Sequence, residues 1–516
     1  MSNQQRYTYG NAIRTGSTRF FGFLPTGSLI ALAVLFTFSF LFVVFGAVLF
    51  GLSTLLLGGF ILFFVGIPMG DTDLTIWQQI QRRVRHGRHV ASGEALFINS
   101  HLSNHSKEEL LSLPGFMHTL YPVQGRDGLA QPVQLLHHDA VNMATVTFSC
   151  SPVGASMLPQ RAVDAQVSAF AGWIGSLASE NGLKGASITV DSTLSSSVSL
   201  GEAVLESIDP DAPAVSRKIL EESVYALPAY VSKVSTYVTL GWDEKELGGG
   251  DLETAYAEIS SRLHSHSQNL RAAGAGSVHV ATDAEYGDIL YTAYNPYRST
   301  EIEQEIRDGV DVIRPLRSSG PEFMDARHKR ILLHDGVASM TAMMTVPDPS
   351  KITEKSYERL FAPSNKFLRK RVTIFYRPEP INSQRHRIDS ASRATTSENS
   401  SRRRITAFEA KKQTIVASAE AQMSSGAVLG EWCLMVTVTF EPTKAAARAA
   451  QNELKGIMGG MRWAFCDYAA DAAFHQTLPV GLFPWVYSSR PQLLKPARER
   501  REFNPDAQVV GYSPLD

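Results

Sequence analysis

The chain has 516 residues, of which 44% are hydrophobic and 19% charged, with a formal net charge of -1; its mean hydropathy is -0.08. Near-neutrality argues against a polyelectrolyte partner, so no direct nucleic-acid contact is expected. The three cysteines, Cys150, Cys433 and Cys466, are far apart in apolar surroundings. They exclude a disulfide framework or a cysteine zinc site and read as reduced core residues.

In chain order, residues 1–27 form a polar N-terminal segment. Between Arg19 and Asp71 there is no Asp, Glu, Lys or Arg, whereas one membrane crossing needs only about twenty apolar residues. Residues 28–68 therefore predict a two-helix transmembrane hairpin, with its densest apolar parts at Ser28 to Phe50 and Leu52 to Ile67. Gly46, Gly51 and Ser53 are placed at the reversal, and Pro68 and Gly70 end the second helix. A cleaved signal peptide would be shorter and would end at a small-residue site.

Arg6, Arg14 and Arg19 precede the hairpin, and Arg82, Arg83, Arg85 and Arg88 follow it, while the turn carries no charge. Positive flanks are retained inside, so both termini are expected on the cytoplasmic face of the inner membrane. Trp77 stands where an aromatic ring favours the interface. The four arginines are candidate contacts for anionic lipid or a partner. Residues 69–112 read as a basic juxtamembrane helix followed by a polar connector.

Two cytoplasmic α+β domains are expected next, at 113–315 and 316–490, built on mainly antiparallel sheets with helices on one face. In the first, strands are predicted at Val133 to His137, Ala144 to Phe148, Ala186 to Asp191, Tyr230 to Leu240 and Ser277 to Ala281. Helices are predicted at Leu158 to Ser179, Pro210 to Ala226 and Leu252 to Ala273, and from Thr282 or Asp283 onward. In the second, strands fall at Ile331 to His334, Ala338 to Val346, Arg371 to Tyr376, Gly430 to Phe440 and Met461 to Cys466, with a helix at Lys444 to Met458. A polar, basic and later alanine-rich arm at 379–426 carries Arg402, Arg403 and Arg404, candidate docking residues. A last helix runs into Thr477-Leu478-Pro479-Val480-Gly481, where Leu478, Pro479 and Gly481 are expected to shape a loop at a domain edge. Residues 491–516 form a C-terminal tail.

Catalytic patterns are missing. No glycine loop ends in Gly-Lys-Ser or Gly-Lys-Thr, so the phosphate cradle of a nucleotide motor is absent. His-Glu-x-x-His, Cys-x-x-Cys and Gly-x-Ser-x-Gly are absent too. His137 and His138 are adjacent on a strand and point to opposite faces, so they do not converge on a metal. His264 and His266 diverge on a helix and read as surface. His334-Asp335-Gly336 reads as a hairpin turn, and Asp283, Glu285 and Asp288 as helix N-terminal charge. No catalytic, cofactor or metal residue is assigned, and no enzymatic activity is expected.

The order of basic-alanine arm, strand Trp432 to Phe440, helix Lys444 to Met458 and the sequence Phe474-His475-Gln476-Thr477-Leu478-Pro479-Val480-Gly481 resembles the amino-terminal, non-motor region of type IV secretion ATPases. Tyr7-Thr8-Tyr9-Gly10-Asn11, Phe21-Gly22-Phe23 and the hairpin resemble actinobacterial membrane proteins of conjugative elements. In those, a PrgI-like hairpin is joined to an ATPase-like amino-terminal domain. Leu135-Leu136-His137-His138, Leu205 to Ala214 and Lys370 to Pro378 fit the same family. The chain stops at Asp516, shortly after the Leu-Pro loop, where the motor domain of such an ATPase would begin. The resemblance implies a non-enzymatic membrane subunit of a conjugative transfer apparatus. Its implied partners are a separate hexameric ATPase, other membrane subunits, anionic lipid and further copies of itself. The alternatives are an EccE-like component of a type VII secretion membrane complex and, from a different class, a membrane-tethered enzyme.

Overall fold

A computed structural model describes residues 19–20, 24–66, 76–99, 113–346, 357–379, 428, 430–459 and 462–488, apart from short gaps at 128, 130, 153, 155–157, 226–229, 311 and 365. The arm residues Arg402, Arg403 and Arg404 and the tail at 491–516 lie outside this set.

After a short antiparallel pairing of Arg19–Phe20 with Leu24–Pro25 come two antiparallel helices, α1 (Thr26–Val44) and α2 (Val48–Gly66), each of 19 uncharged residues. The reversal sits at Gly46, whose φ of +84° is open to glycine, while Gly51 and Ser53 fall inside α2 instead of at the turn. Small residues let the helices approach: buried Ser39 donates its hydroxyl to the carbonyl of Gly51 at 2.6 Å, and a side chain at Gly51 would meet Ser39 O at 2.8 Å. Outward rows of Phe, Leu and Val are exposed along the pair, from Val34 to Phe60. Among the described residues no helix is long and apolar enough to cross a membrane. The side chains described for this pair, at 34–44 and 48–60, are shorter runs than the two helices to which they belong.

Helix α3 (Ile76–Ala91) leads into strand β1 (Leu96–Ile98), a strand inside what reads in sequence as connector. β1 edges a 13-stranded sheet whose named strands pair antiparallel throughout. The strands that follow are β2 (Leu120–Arg126), β3 (Pro132–His138), β4 (Met143–Ser151), β5 (Leu183–Ser196), β6 (Tyr230–Asp243) and β7 (Ser277–Val280). After them come β8 (Phe323–Asp325), β9 (Ile331–His334), β10 (Val337–Val346), β11 (Arg369–Pro378), β12 (Gly430–Phe440) and β13 (Arg462–Phe465). In space the order is β1-β8-β9-β10-β12-β11-β5-β6-β4-β3-β2, with β13 on β10 and β7 on β4. Blocks 113–315 and 316–490 thus contribute to one sheet, joined where Ala186 to Thr193 pairs with Arg369 to Tyr376.

The two blocks repeat one topology about that seam. In the first, hairpin strands β2, β3 and β4 are followed by helix α4 (Gln160–Leu177), strand β5, an insertion with α5 (Ser197–Glu206) and α6 (Ala214–Tyr225), and strand β6. A short helix α7 (Glu244–Gly248), then α8 (Leu252–Leu270), β7 and α9 (Asp283–Tyr294) complete it. Helix α10 (Arg298–Arg307) links the blocks. The second has β8, β9, β10, α11 (Glu358–Phe361), β11, the insertion at 379–429, β12, α12 (Lys444–Ile457), β13 and α13 (Ala470–Gln476).

The registers match as well. Thr147 pairs with Thr239, Thr239 with Ser187, and Ser187 with Phe375; Thr341 pairs with Thr437, Thr437 with Arg371, and Arg371 with Asp191. The strands after α8 and α12, β7 and β13, end alike, with Ala281 donating its N–H to Thr147 O and Cys466 to Thr341 O. The sequence carries the trace: Leu136-His137-His138-Asp139 against Leu332-Leu333-His334-Asp335, and Val238-Thr239-Leu240-Gly241-Trp242 against Val436-Thr437-Val438-Thr439-Phe440.

Side-chain alternation gives the sheet two unlike faces. One is apolar: Val146, Phe148, Val238, Leu240 and Trp242 pack with Trp173 and Leu177 of α4 and with Ile259 and Leu263 of α8. In the other block Val372, Leu434, Val436 and Val438 pack with Leu360 of α11 and with Ala450 and Leu454 of α12. The opposite face is rich in hydroxyls and is covered by α9, α13 and the segment after it, where Leu136, Leu332, Leu290, Tyr294, Phe474, Leu478 and Val480 share a core. The expectation of helices on one face is therefore corrected: both faces are covered, because the strands between the edges are buried on both sides.

Close packing leaves no room at Gly241, where a side chain would meet the Phe483 ring at 2.5 Å. Gly241→Val should cost about 1–3 kcal/mol by overpacking, read as a lower denaturant midpoint of the purified full chain.

Candidate functional site

The seam carries a buried polar cluster on the hydroxyl-rich face. Thr189 and Thr373 pair their hydroxyls across it at 3.1 Å, flanked in the two blocks by Thr147 with Thr239 at 2.9 Å and Thr341 with Thr437 at 2.8 Å. Asp191 of β5 and Arg369 and Arg371 of β11 lie at the same level and are all but inaccessible. Arg369 Nε donates to Asp191 Oδ1 at 2.9 Å, its Nη2 to Oδ2 at 2.6 Å and its Nη1 to Thr292 Oγ1 at 3.0 Å. Arg371 reaches the same Oδ2 through Nε at 3.4 Å and donates from Nη1 to Thr477 Oγ1 at 3.2 Å. Burial opposes the charge on Asp191, but the two guanidinium groups outweigh it and hold its carboxyl below the usual range.

Against this cluster lie Tyr294, whose hydroxyl is hydrogen-bonded to His475 Nε2 at 3.0 Å, and His334, hydrogen-bonded to Ser339 Oγ at 2.7 Å. Burial pushes His334 down to about 3 and His475 to about 4, so both rings are neutral.

Leu478, Pro479 and Gly481 stand in a turn between α13 and α14 (Pro484–Ser488). The turn does not lie at an edge but crosses the seam, buried. Strand hydroxyls take up its carbonyls: Thr373 donates to Thr477 O at 2.9 Å, Thr147 to Pro479 O at 2.8 Å and Thr145 to Val480 O at 3.3 Å. Irregular backbone can be buried here because those side chains replace water. Gly481 has φ of +78° and lies against Thr145, so a larger residue would lift the turn off the sheet.

A second cluster stands beyond β3. His137 and His138 face opposite ways, as their spacing predicts: His137 Nδ1 meets Glu244 Oε1 at 2.6 Å beside Tyr256, whereas His138 Nε2 meets Thr145 Oγ1 at 2.9 Å. Burial opposes protonation of His137, but the carboxylates of Asp139 and Glu244 outweigh it and raise the ring to about 9. His264 is exposed, but His266 is buried, accepting from Trp173 Nε1 at 3.2 Å and facing Glu180; the surface reading fails because its helix face packs on Trp173 and Trp242. Asp283 and Glu285 open α9, where Thr282 and Glu285 form a capping box. Asp335 and Gly336 make the β9–β10 turn, both with positive φ. The Cys150, Cys433 and Cys466 thiols are free, and burial raises each to about 12.

Arg82, Arg83, Arg85 and Arg88 lie exposed along α3. The same helix docks on the sheet region: His86 Nε2 hydrogen-bonds Arg327 O at 3.2 Å, His89 Nε2 forms an ion pair with Asp471 of α13 at 3.4 Å, and the Arg83 guanidinium carbon lies 6.0 Å from the Tyr468 ring centroid. Val90 packs on the core beneath. Compared with known proteins, the chain matches no family model and no curated sequence.

Among the described residues no group of three or more His, Cys, Asp or Glu side chains is placed to hold a metal ion. The seam triad escapes a motif search because its members are far apart in sequence. Its one local trace is the basic run Arg369-Lys370-Arg371 at the start of a strand.

Two measurements probe these clusters. Asp191→Asn leaves two buried guanidinium groups without their carboxylate and should cost about 3–5 kcal/mol in equilibrium unfolding. His137 has a raised pKa, so its contribution is complete below the unfolded value of about 6.5 and is lost as pH climbs through about 9. Unfolding free energy should fall over that interval, and Glu244→Gln should flatten the slope.

Proposed function

We propose that this chain is a non-enzymatic, membrane-anchored subunit of a type IV-like conjugative transfer or secretion apparatus, docking a separate ATPase at the inner membrane. The observation that carries this reading is the uncharged helix pair α1–α2 with its outward apolar rows. Nineteen residues of helix rise about 28 Å, close to the hydrocarbon thickness of a bilayer. Rows of exposed Phe, Leu and Val are costly in water and unremarkable in lipid.

Further support lies in the connection. Helix α3 carries four exposed arginines, which anionic headgroups would meet. It is tied to the sheet region by His86 and His89. The polar groups that converge at the seam are engaged with one another and with the 477–483 turn, an arrangement that suits a rigid scaffold better than turnover of a substrate.

Affinity purification from detergent-solubilised membranes tests the proposal. A separately encoded, hexamer-forming ATPase should be recovered with the chain, and the chain should resist extraction at alkaline pH. Repeated recovery of the chain alone would overturn the docking role, and recovery with a type VII export machinery would reassign the apparatus.

A further inference from the structure

Arg371 is wholly buried, yet its Nη2 has no hydrogen-bond partner among the described residues. Its share of the single carboxylate is poor: Asp191 is gripped by Arg369 through three hydrogen bonds between 2.6 and 3.1 Å, leaving Arg371 one contact at 3.4 Å. Two cations therefore face one anion. The remaining neighbours bring no negative charge, since Tyr237 and Tyr294 are phenols raised by burial and His334 and His475 are neutral. The nearby buried carboxylates are engaged elsewhere, Asp471 with His89 and Asp335 with Arg298. Burial and the adjacent Arg369 depress Arg371 only to about 10, so it is charged at neutral pH.

An unbalanced charge in a protein interior is expensive, by several kcal/mol even after relaxation. The fold itself does not demand it. At the seam position equivalent to Arg371 stands Ser187, at the one equivalent to Arg369 stands Gly185, and the counterpart of Asp191 is Phe375. There the same architecture closes with Phe375, Phe483 and Trp485, whose rings pack together. One end of the seam is thus aromatic and uncharged, the other holds a surplus cation with a free donor. Phe474 lies beside that guanidinium, 5.2 Å from its carbon to the ring centroid, and closes it off from solvent.

We infer that Arg371, with Thr477 and Arg369 around it, binds a small monovalent anion, chloride in the cell, at the seam between the two blocks. The anion would accept from Nη2 and balance the triad, and so tie the 477–483 turn to the strands beneath.

Thermal unfolding of the full chain in detergent, in sodium chloride against sodium gluconate at equal ionic strength, tests this. The midpoint should rise with the logarithm of chloride concentration, because a ligand of the folded state stabilises it by mass action. Arg371→Met should remove that dependence and, in gluconate, unfold no earlier than the parent, since it deletes an unbalanced charge. Crystals grown in bromide should show an anomalous peak within hydrogen-bond reach of Arg371 Nη2, a readout independent of whether the variant folds. A midpoint indifferent to halide, an Arg371→Met chain that responds like the parent, or a peak-free map with ordered water only would each overturn the site.

Discussion

The antiparallel pairing of Ala186 to Thr193 with Arg369 to Tyr376 is the contact on which the rest depends. It turns two small sheets into one, and so buries strands that would otherwise be edges. An edge strand can leave its polar groups to water, whereas a central strand cannot. The hydroxyl pairs of Thr189 with Thr373, Thr147 with Thr239 and Thr341 with Thr437 follow from that constraint. So does the dense bonding of the 477–483 turn, which lies on those hydroxyls and takes the place that solvent would hold.

The two faces divide the work. The apolar face is stabilised by burial of Val, Leu, Phe and Trp beneath α4, α8 and α12, a term that tolerates variation as long as volume is kept. The polar face is less forgiving, because each donor or acceptor must find a partner and the loss of one strands another. Functional specificity is better sought on that face and on the outer surface of α3 than in the helical layer.

Much of the architecture was legible one element at a time. Gly430 to Phe440 appears as read, and Tyr230 to Leu240 extends by three residues to Asp243, because alternating β-branched residues between turn signals define such strands well. Short strands escaped: Leu96–Ile98, Leu120–Arg126 and Phe323–Asp325 carry too few alternations, or a proline, to stand out from loop. The duplication escaped as well. Its trace is two short echoes, Leu-x-His-Asp and Val-Thr-x-x-aromatic, separated by insertions of unlike length and composition. The charged cluster could not be assembled from sequence at all, since Asp191 meets Arg369 and Arg371 only once the two blocks pair.

A symmetric pairing of two like units is what a homodimer makes, with one difference that matters here. In a homodimer every substitution is made twice, so a guanidinium placed on one side of the axis appears on the other, and the two repel. With both units in a single chain that coupling is broken. One end of the seam could take Asp191, Arg369 and Arg371 while the other kept Gly185, Ser187 and Phe375. Covalent linkage has given this sheet a direction, a polar end and a greasy end, that its pairing pattern alone does not possess.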